Sequence, residues 1–267
     1  MTGTRPTGLR RGLHAALAVA LTSGAAAAQT TLLVNTNPAG QNVFGGLTYG
    51  GGQFTAVTQS LNAAFAGRLT TTTTLSDRNT VLAAGALYVD QRYLSAPSQT
   101  ELDNLRAFIQ TGRRVVIIGE NTSWGPWNAA ILGVVGGQEG PLLGSNQPPG
   151  SPGCLYGPVN TVLSSVLTQG VGSINTACAG YAIGGTALFS YNVATLWGAN
   201  QNVLTLLDAN AIDDTFGALA GSPRFRQNIV AWLGGAQASV VPEPGTWALL
   251  GAGLVGVGAL ARRKRQA

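Results

Sequence analysis

Residues 86–119 constrain the fold more than any other part of this 267-residue chain. Residues 86–90 are a short apolar segment. Residues 114–119 are a second one, almost uninterrupted, as a strand buried on both faces of a parallel sheet requires. Between them, Ser98 and Glu101 have capping-box spacing, and apolar residues recur at helical intervals up to Gly112. The pattern predicts a strand–helix–strand unit, which is right-handed by default.

Segments on both sides of this unit extend the same alternation. The sequence therefore predicts an α/β fold of three layers, a mostly parallel sheet with flanking helices. Further predicted strands cover residues 31–34, 68–75, 181–183, 193–197 and 203–207. Further predicted helices cover residues 54–65, 162–167 and 224–233, and residues 136–158 are a Gly/Pro/Ser-rich insertion.

The carboxy-terminal end has three parts in a fixed order: a proline–glutamate–proline motif, an uncharged run and a basic cluster. They are Val241, Pro242, Glu243 and Pro244, then residues 247–261, then Arg262, Arg263, Lys264 and Arg265. At about 1.5 Å per residue, a helix over the uncharged run would be roughly 22 Å long, shorter than the roughly 30 Å hydrocarbon core. The four cations would stay on the cytoplasmic side.

This order resembles the bacterial PEP-CTERM sorting signal. The resemblance implies that an exosortase, a processing enzyme in the membrane, cuts the chain near the Pro-Glu-Pro motif. The membrane would then hold the protein only transiently. The alternative is a permanent carboxy-terminal membrane anchor.

The amino-terminal end has the pattern of a secretory signal peptide. Arg5, Arg10 and Arg11 precede an apolar stretch at residues 13–21, and three alanines at residues 26–28 provide the cleavage site. General secretion is favoured over the twin-arginine route. The predicted organisation is a signal peptide at 1–28, an α/β domain at 29–235, a linker at 236–246 and a membrane helix with basic stop at 247–267.

The formal charge of +5 does not indicate nucleic-acid binding, because it comes from the two ends. Of the 15 basic residues, 8 lie between residues 29 and 241, against 9 of the 10 acids, so the exported region carries about −1. No nucleic-acid partner and no cofactor are predicted. The two cysteines, Cys154 and Cys178, are predicted to form a disulfide, since the count is even and the chain is exported. Two unpaired structural thiols are the alternative.

Three segments resemble the class I glutamine-amidotransferase-like family, which has a flavodoxin-like fold. They are residues 86–90 with the following helix, residues 114–121, and residues 204–214 with the helix carrying Asn228, Trp232 and Leu233. The family's activity needs a cysteine nucleophile after a strand and a histidine that activates it. Here Glu120 to Ser123 follow the strand, and the single histidine, His14, lies in the signal peptide. Amidotransferase chemistry is therefore excluded, as are Ser-His-Asp triads.

Asp90, Glu120 and Asp208 each follow a predicted parallel strand, where open α/β sheets place ligands. They are the candidate ligand site, and a suitably spaced pair could hydrolyse glycosidic bonds. Ordinary loop and helix-cap roles are the alternative.

Two further groups are candidates with structural alternatives. Asp208, Asp213 and Asp214 could bind calcium outside the cell, although turn and cap roles are favoured. Trp124 and Trp127 could form an aromatic platform for sugars, although packing in the core is favoured.

The sequence therefore predicts an exported, non-catalytic protein of the cell surface or extracellular matrix, associated with exopolysaccharide. It would pass through an inner-membrane intermediate. A carboxylate-dependent glycan hydrolase and a calcium-dependent binding module are the alternatives.

Overall fold

The computed structural model describes residues 30–36, 46–93, 95–141 and 155–235. These ranges fall inside the predicted α/β domain. The predicted signal peptide, linker, sorting motif, membrane helix and basic stop lie outside the described residues, and so does Cys154. Within the described ranges, no helix has the length and apolarity needed to cross a bilayer.

A seven-stranded sheet confirms the predicted α/β architecture. Its strands are β1 (Leu32–Asn35), β2 (Leu69–Thr72), β3 (Ala86–Val89), β4 (Arg114–Ile118), β9 (Thr186–Ala187), β10 (Ala194–Trp197) and β11 (Val203–Leu206). Their order is β2-β1-β3-β4-β11-β10-β9. The first five strands are parallel to one another; β10 pairs antiparallel with β11, and β9 pairs antiparallel with β10. The parallel part has the strand order of flavodoxin-like folds.

Helices cover both faces of the sheet, which gives the three layers. They are α1 (Thr55–Ala64), α2 (Arg78–Ala83), α3 (Gln99–Gln110), α4 (Gly125–Val134) and α5 (Ser222–Leu233). Alternate strand residues point to opposite faces. Val116 and Ile118 pack in the same cluster as α1 and α5, whereas Val115 and Ile117 pack with α2, α3 and α4. Both faces are therefore apolar cores.

The predicted strand–helix–strand unit is confirmed in detail. The Ser98 hydroxyl accepts a hydrogen bond from the Glu101 amide, and the Glu101 carboxylate accepts one from the Ser98 amide at 2.9 Å. This capping box satisfies two amides at the start of α3. β3 and β4 pair in parallel, with Leu87 opposite Val115.

A separate hairpin was not predicted and proves important for the site. Its strands are β6 (Leu155–Asn160) and β7 (Ser173–Ala179), which pair antiparallel; a second small sheet joins β5 (Gln138–Glu139) to β8 (Ala182–Ile183). The helix predicted at residues 162–167, between β6 and β7, is wrong. The Thr168 hydroxyl accepts from the Ser165 amide and donates to the Leu163 carbonyl at 2.6 Å. These side-chain bonds hold the backbone in turns, in competition with a helix.

Candidate functional site

A cavity of about 370 Å³ opens at the carboxyl ends of the parallel strands. Three sets of residues form its wall: those that follow β3, β4 and β11, the hairpin β6–β7, and the loop before α1. They are Leu47, Gln53, Tyr93, Glu120, Asn121, Ser123, Trp124, Tyr156, Ala177, Cys178 and Asn210. Of the three predicted ligand-site carboxylates, only Glu120 lines the cavity.

The end of β7 lies across the ends of β4 and β11 and closes one side of the cavity. The Gly180 amide donates to the Leu207 carbonyl at 2.9 Å. A Cβ on Gly180 would come within 2.8 Å of the Glu120 carbonyl oxygen, so only glycine allows this approach. Cys178, two residues earlier, has a φ of 76°, a conformation that non-glycine residues seldom adopt. Such strained positions are concentrated at functional sites.

Glu120 is the buried acid in the cavity wall. It is 2% exposed, and its Oε2 atom accepts a hydrogen bond from the Ala209 amide at 3.3 Å. Its Oε1 atom has no hydrogen-bond partner among the described residues. Burial raises the pKa of Glu120 well above its usual value, and the nearby Asp208 and Asp213 carboxylates raise it further. Burial therefore favours the protonated form of Glu120.

Asp208 lies close enough to Glu120 for each carboxyl group to affect the pKa of the other. Asp208 Oδ2 accepts from the Ala177 amide at 2.8 Å, and Oδ1 accepts from the Asn210 amide at 2.9 Å. Burial raises the pKa of Asp208 to about 7, and these amides oppose the rise. Through these two bonds, Asp208 anchors both the hairpin and the turn after β11.

Asp90 is placed by the sheet where the sequence predicts it but is not part of the cavity wall. Its Oδ2 atom accepts from the Tyr49 amide at 2.9 Å, and its Oδ1 atom has no hydrogen-bond partner among the described residues. Burial raises the pKa of Asp90 to about 7. The structure therefore brings Glu120 and Asp208 together and leaves Asp90 apart.

An ion pair that the sequence did not predict lies between β1 and β3. Arg92 binds Glu101 through two hydrogen bonds, Nη2–Oε1 at 2.7 Å and Nη1–Oε2 at 3.1 Å. Arg92 Nη2 also donates to Asn35 Oδ1 at 3.2 Å. Glu101 accepts further bonds from the amides of Leu75 and Ser98. Although burial opposes it, this set of donors lowers the pKa of Glu101 to about 2. The pair joins β1, β3 and α3 at the position where flavodoxin-like folds bind their ligand.

The calcium prediction is not supported by the geometry. Asp213 accepts from the amides of Thr215 and Gly217, each at 2.8 Å, and so closes a turn. Asp214 accepts from the amides of Thr55 and Ala56 at the start of α1. Asp213 lies near Asp208, but Asp213 and Asp214 fill the turn and cap roles that the sequence favours. In the described part of the chain, no three His, Cys, Asp or Glu residues are grouped to hold a metal.

The two tryptophans of the possible aromatic platform have different positions. Trp124 lines the cavity and packs edge-on against Tyr93, with ring centroids 4.7 Å apart and planes at 66°. Trp127 is a core residue instead. It is 1% exposed, and its Nε1 atom donates to the Ile118 carbonyl at 2.8 Å. Tyr93, and not Trp127, is therefore the aromatic partner of Trp124.

Sequence reasoning missed several wall residues. Tyr93 follows β3 by four positions, and Asn210 follows Asp208 by two, so their places after parallel strands could have indicated them. Tyr156 had no such signal, because it lies in the predicted insertion. The pairing of Cys178 with Cys154 stays a prediction, since Cys154 is outside the described residues.

Comparison with known proteins confirms the sorting tail. Residues 240–265 match the family model of the PEP-CTERM protein-sorting motif. The chain therefore carries this motif, which implies an exported protein that passes through the membrane and is recognised by an exosortase. No curated protein matches the chain.

Solved structures share the fold of the described domain. The chain is similar to the mmIFT52 N-terminal domain, with a TM-score of 0.57, 10% identity, and coverage of 76% of this chain and 96% of that one. It is also similar to a putative ThuA-like protein from Bacteroides uniformis, with a TM-score of 0.52, 13% identity and coverage of 79% and 93%. A putative GMP synthase protein from Thermoplasma acidophilum matches at a TM-score of 0.47 and 10% identity, with coverage of 76% and 93%. The first two matches confirm an α/β fold of this kind, and at these identities the likeness concerns the fold alone.

Proposed function

We propose that the exported protein is a non-catalytic component of the cell surface or extracellular matrix that binds exopolysaccharide in the carboxyl-edge cavity. One observation carries this proposal: the cavity combines aromatic rings with amide and hydroxyl groups. Binding sites for small molecules typically have an apolar lining with a few convergent polar groups. The PEP-CTERM motif supports delivery across the membrane.

The cavity wall suits a sugar in two respects. Tyr156 is 46% exposed, so its ring offers a face against which the C–H groups of a sugar ring can pack. Asn121, Ser123 and Asn210 offer side chains that can hydrogen-bond sugar hydroxyls. Because burial favours the protonated form of Glu120, this side chain can form hydrogen bonds to a ligand without presenting a full negative charge. These features favour a neutral glycan.

The test is binding of oligosaccharides from the host's own polysaccharide, measured by calorimetry. We expect Tyr156→Ala to weaken binding about fivefold, since one aromatic contact of this kind contributes about 1 kcal/mol. Tyr191→Ala is the matched control, because Tyr191 is also exposed, at 57%, but does not line the cavity. Equal affinity in wild type and Tyr156→Ala would contradict the proposed site.

A glycan hydrolase is the second candidate, and the raised pKa of Glu120 favours it, since a general acid must hold its proton at neutral pH. Against it, the carboxyl groups of Glu120 and Asp208 interact closely inside the protein. Glycosidases place their two carboxyl groups about 5 to 9.5 Å apart so that substrate or water fits between them. Turnover of the host polysaccharide that is lost in Asp90→Asn or Glu120→Gln would establish the hydrolase and overturn the non-catalytic proposal.

Final location is tested by intact mass in membrane, surface and medium fractions of the native host. We expect a product that begins at Gln29 and ends near Pro242, recovered outside the membrane. A membrane-bound species that retains Arg262 to Arg265 would instead establish the permanent anchor.

A further inference from the structure

Both ends of the described domain leave it at the same edge of the sheet. The Thr30 hydroxyl, just before β1, donates to the Gly234 carbonyl, just after α5, at 3.4 Å. This is the amino edge, where the parallel strands begin. The cavity lies at the opposite edge, beyond strands of four or five residues at about 3.3 Å each. The tail that carries the sorting motif therefore leaves from the side facing away from the cavity.

Three arginines surround this exit. Arg68 precedes β2, and Arg113 and Arg114 lie at the start of β4, so all three belong to the amino edge. Their guanidinium groups donate to backbone carbonyls near the ends of helices: Arg68 to Ala64, Arg113 to Leu82 and Ala84, and Arg114 to Trp232. All three side chains are half-buried. A guanidinium has five N–H donors, so Arg68 and Arg113 can hydrogen-bond a phosphate while keeping these contacts.

The amino edge carries no acid to balance these charges. The segments that form it are residues 30–31, 65–68, 84–85, 111–114, 135–137, 198–202 and 234–235, and none of them contains Asp or Glu. The acids of the described residues follow strand ends, lie in the first half of α3 or contact the cavity side: Asp77, Asp90, Glu101, Asp103, Glu120, Glu139, Asp208, Asp213 and Asp214. The domain therefore separates its charge along the strand direction, although its sum is about −1.

We propose that the amino edge is a docking surface for anionic phospholipid headgroups, occupied while the PEP-CTERM tail is still in the membrane. The tail brings this edge to the bilayer: the eleven residues 236–246 extend to at most about 40 Å. Phosphate oxygens complement Arg68, Arg113 and Arg114. Docking leaves the cavity on the side of the domain that faces away from the membrane. This inference rests on the sorting motif and is independent of what the cavity binds.

The test uses the full chain reconstituted in vesicles of phosphatidylglycerol or of phosphatidylcholine, followed by hydrogen exchange. In phosphatidylglycerol at low salt, we expect exchange at residues 65–68, 111–114 and 198–202 to slow at least several-fold. Added salt at about 0.5 M should reverse this, because it screens the charges. In phosphatidylcholine the same segments should show no such slowing. The loops around the cavity should exchange equally in both lipids.

Two variants make the test specific. Arg68→Gln/Arg113→Gln/Arg114→Gln should abolish the protection, whereas Arg224→Gln should keep it, because Arg224 is exposed at the far end of α5. Since the triple variant also removes helix-end contacts, Ala66→Glu/Asn200→Glu provides a second route: both residues are exposed at the amino edge, and the change adds two negative charges there. Equal protection in both lipids, or protection that survives Ala66→Glu/Asn200→Glu, would overturn the proposal.

Discussion

Glu101 and Glu120 are glutamates of similar burial, 5% and 2% exposed, and both lie on the carboxyl side of the sheet. Glu101 faces Arg92 and backbone amides, and its pKa falls to about 2. Glu120 faces Asp208 with no cation, and its pKa rises well above the usual value. Burial penalises the charge of both; the partners decide which carboxyl group stays ionised.

The comparison separates a structural site from a candidate ligand site. The oxygens of Glu101 already accept hydrogen bonds from Arg92, Leu75 and Ser98, so little capacity is left for a ligand. Glu120 keeps one oxygen without a partner among the described residues and borders a cavity. The Glu101 site joins β1, β3 and α3, whereas the Glu120 site has a carboxyl oxygen that can accept a hydrogen bond from a ligand.

The largest effect is expected when the buried ion pair between Arg92 and Glu101 is broken. Arg92→Met leaves Glu101 buried without its cation and should lower the free energy of unfolding by about 3 to 5 kcal/mol at pH 7. Urea denaturation measures this. Arg92→Met/Glu101→Met removes both charges and should recover part of the loss. A single variant as stable as wild type would mean that the ion pair does not join the elements as described.

A smaller effect is expected from the carboxyl pair as pH rises. With folded pKa values above the unfolded ones, the native state binds more protons between about pH 4 and the folded pKa, so the contribution of the pair to stability is greatest at low pH and falls as pH rises. From pH 5 to pH 8 we expect a loss of about 2 kcal/mol, which urea denaturation at a series of pH values measures.

Glu120→Gln sharpens this result, because its amide replaces the protonated acid and does not titrate. The decline with pH should become shallower in Glu120→Gln, and what remains should shrink in Asp90→Asn, whose pKa is about 7 in the wild type. A wild-type stability that is flat between pH 5 and pH 8 would show that burial does not raise the pKa values of the two carboxyl groups.

The smallest effect is expected from the solvent-exposed ion pair between Asp103 and Arg106. Asp103 and Arg106 approach to 2.8 Å, but their side chains are 57% and 40% exposed. Asp103→Asn should change the free energy of unfolding by no more than about 0.5 kcal/mol, because water and salt screen the pair. A loss comparable to that of Arg92→Met would mean that exposure does not set the contribution of such pairs in this protein.

The parts of the fold that could be predicted are those with strong local signals. Helix α3 has a capping box and a polar face, and β4 is an apolar run bounded by Gly119. Helix α4 was not predicted, since its sequence is apolar on nearly all sides and shows little periodicity. Strand β6 contains Gly157 and Pro158, which strands usually exclude, so its sequence indicated a loop.

The candidate site was predictable only where the sheet itself determines position. A residue after a parallel strand lies at the carboxyl edge, which is why Glu120 and Asp208 could be expected near each other. Arg92 meets Glu101 nine residues later, a pairing that depends on how the intervening loop folds. Tyr156 and Cys178 reach the cavity through the hairpin, whose docking is a tertiary contact without a local signature.

The placement of tail and cavity at opposite edges also determines how the domain bears mechanical load. A chain pulled at the cavity and held at Gly235 is stretched along its parallel strands, and α5 lies alongside them, with its end against the start of β4. Hydrogen bonds between neighbouring strands then resist sliding together, whereas a pull across the sheet would open them one at a time. If the cavity binds a polymer as proposed, tension on that polymer would load the domain along its strands.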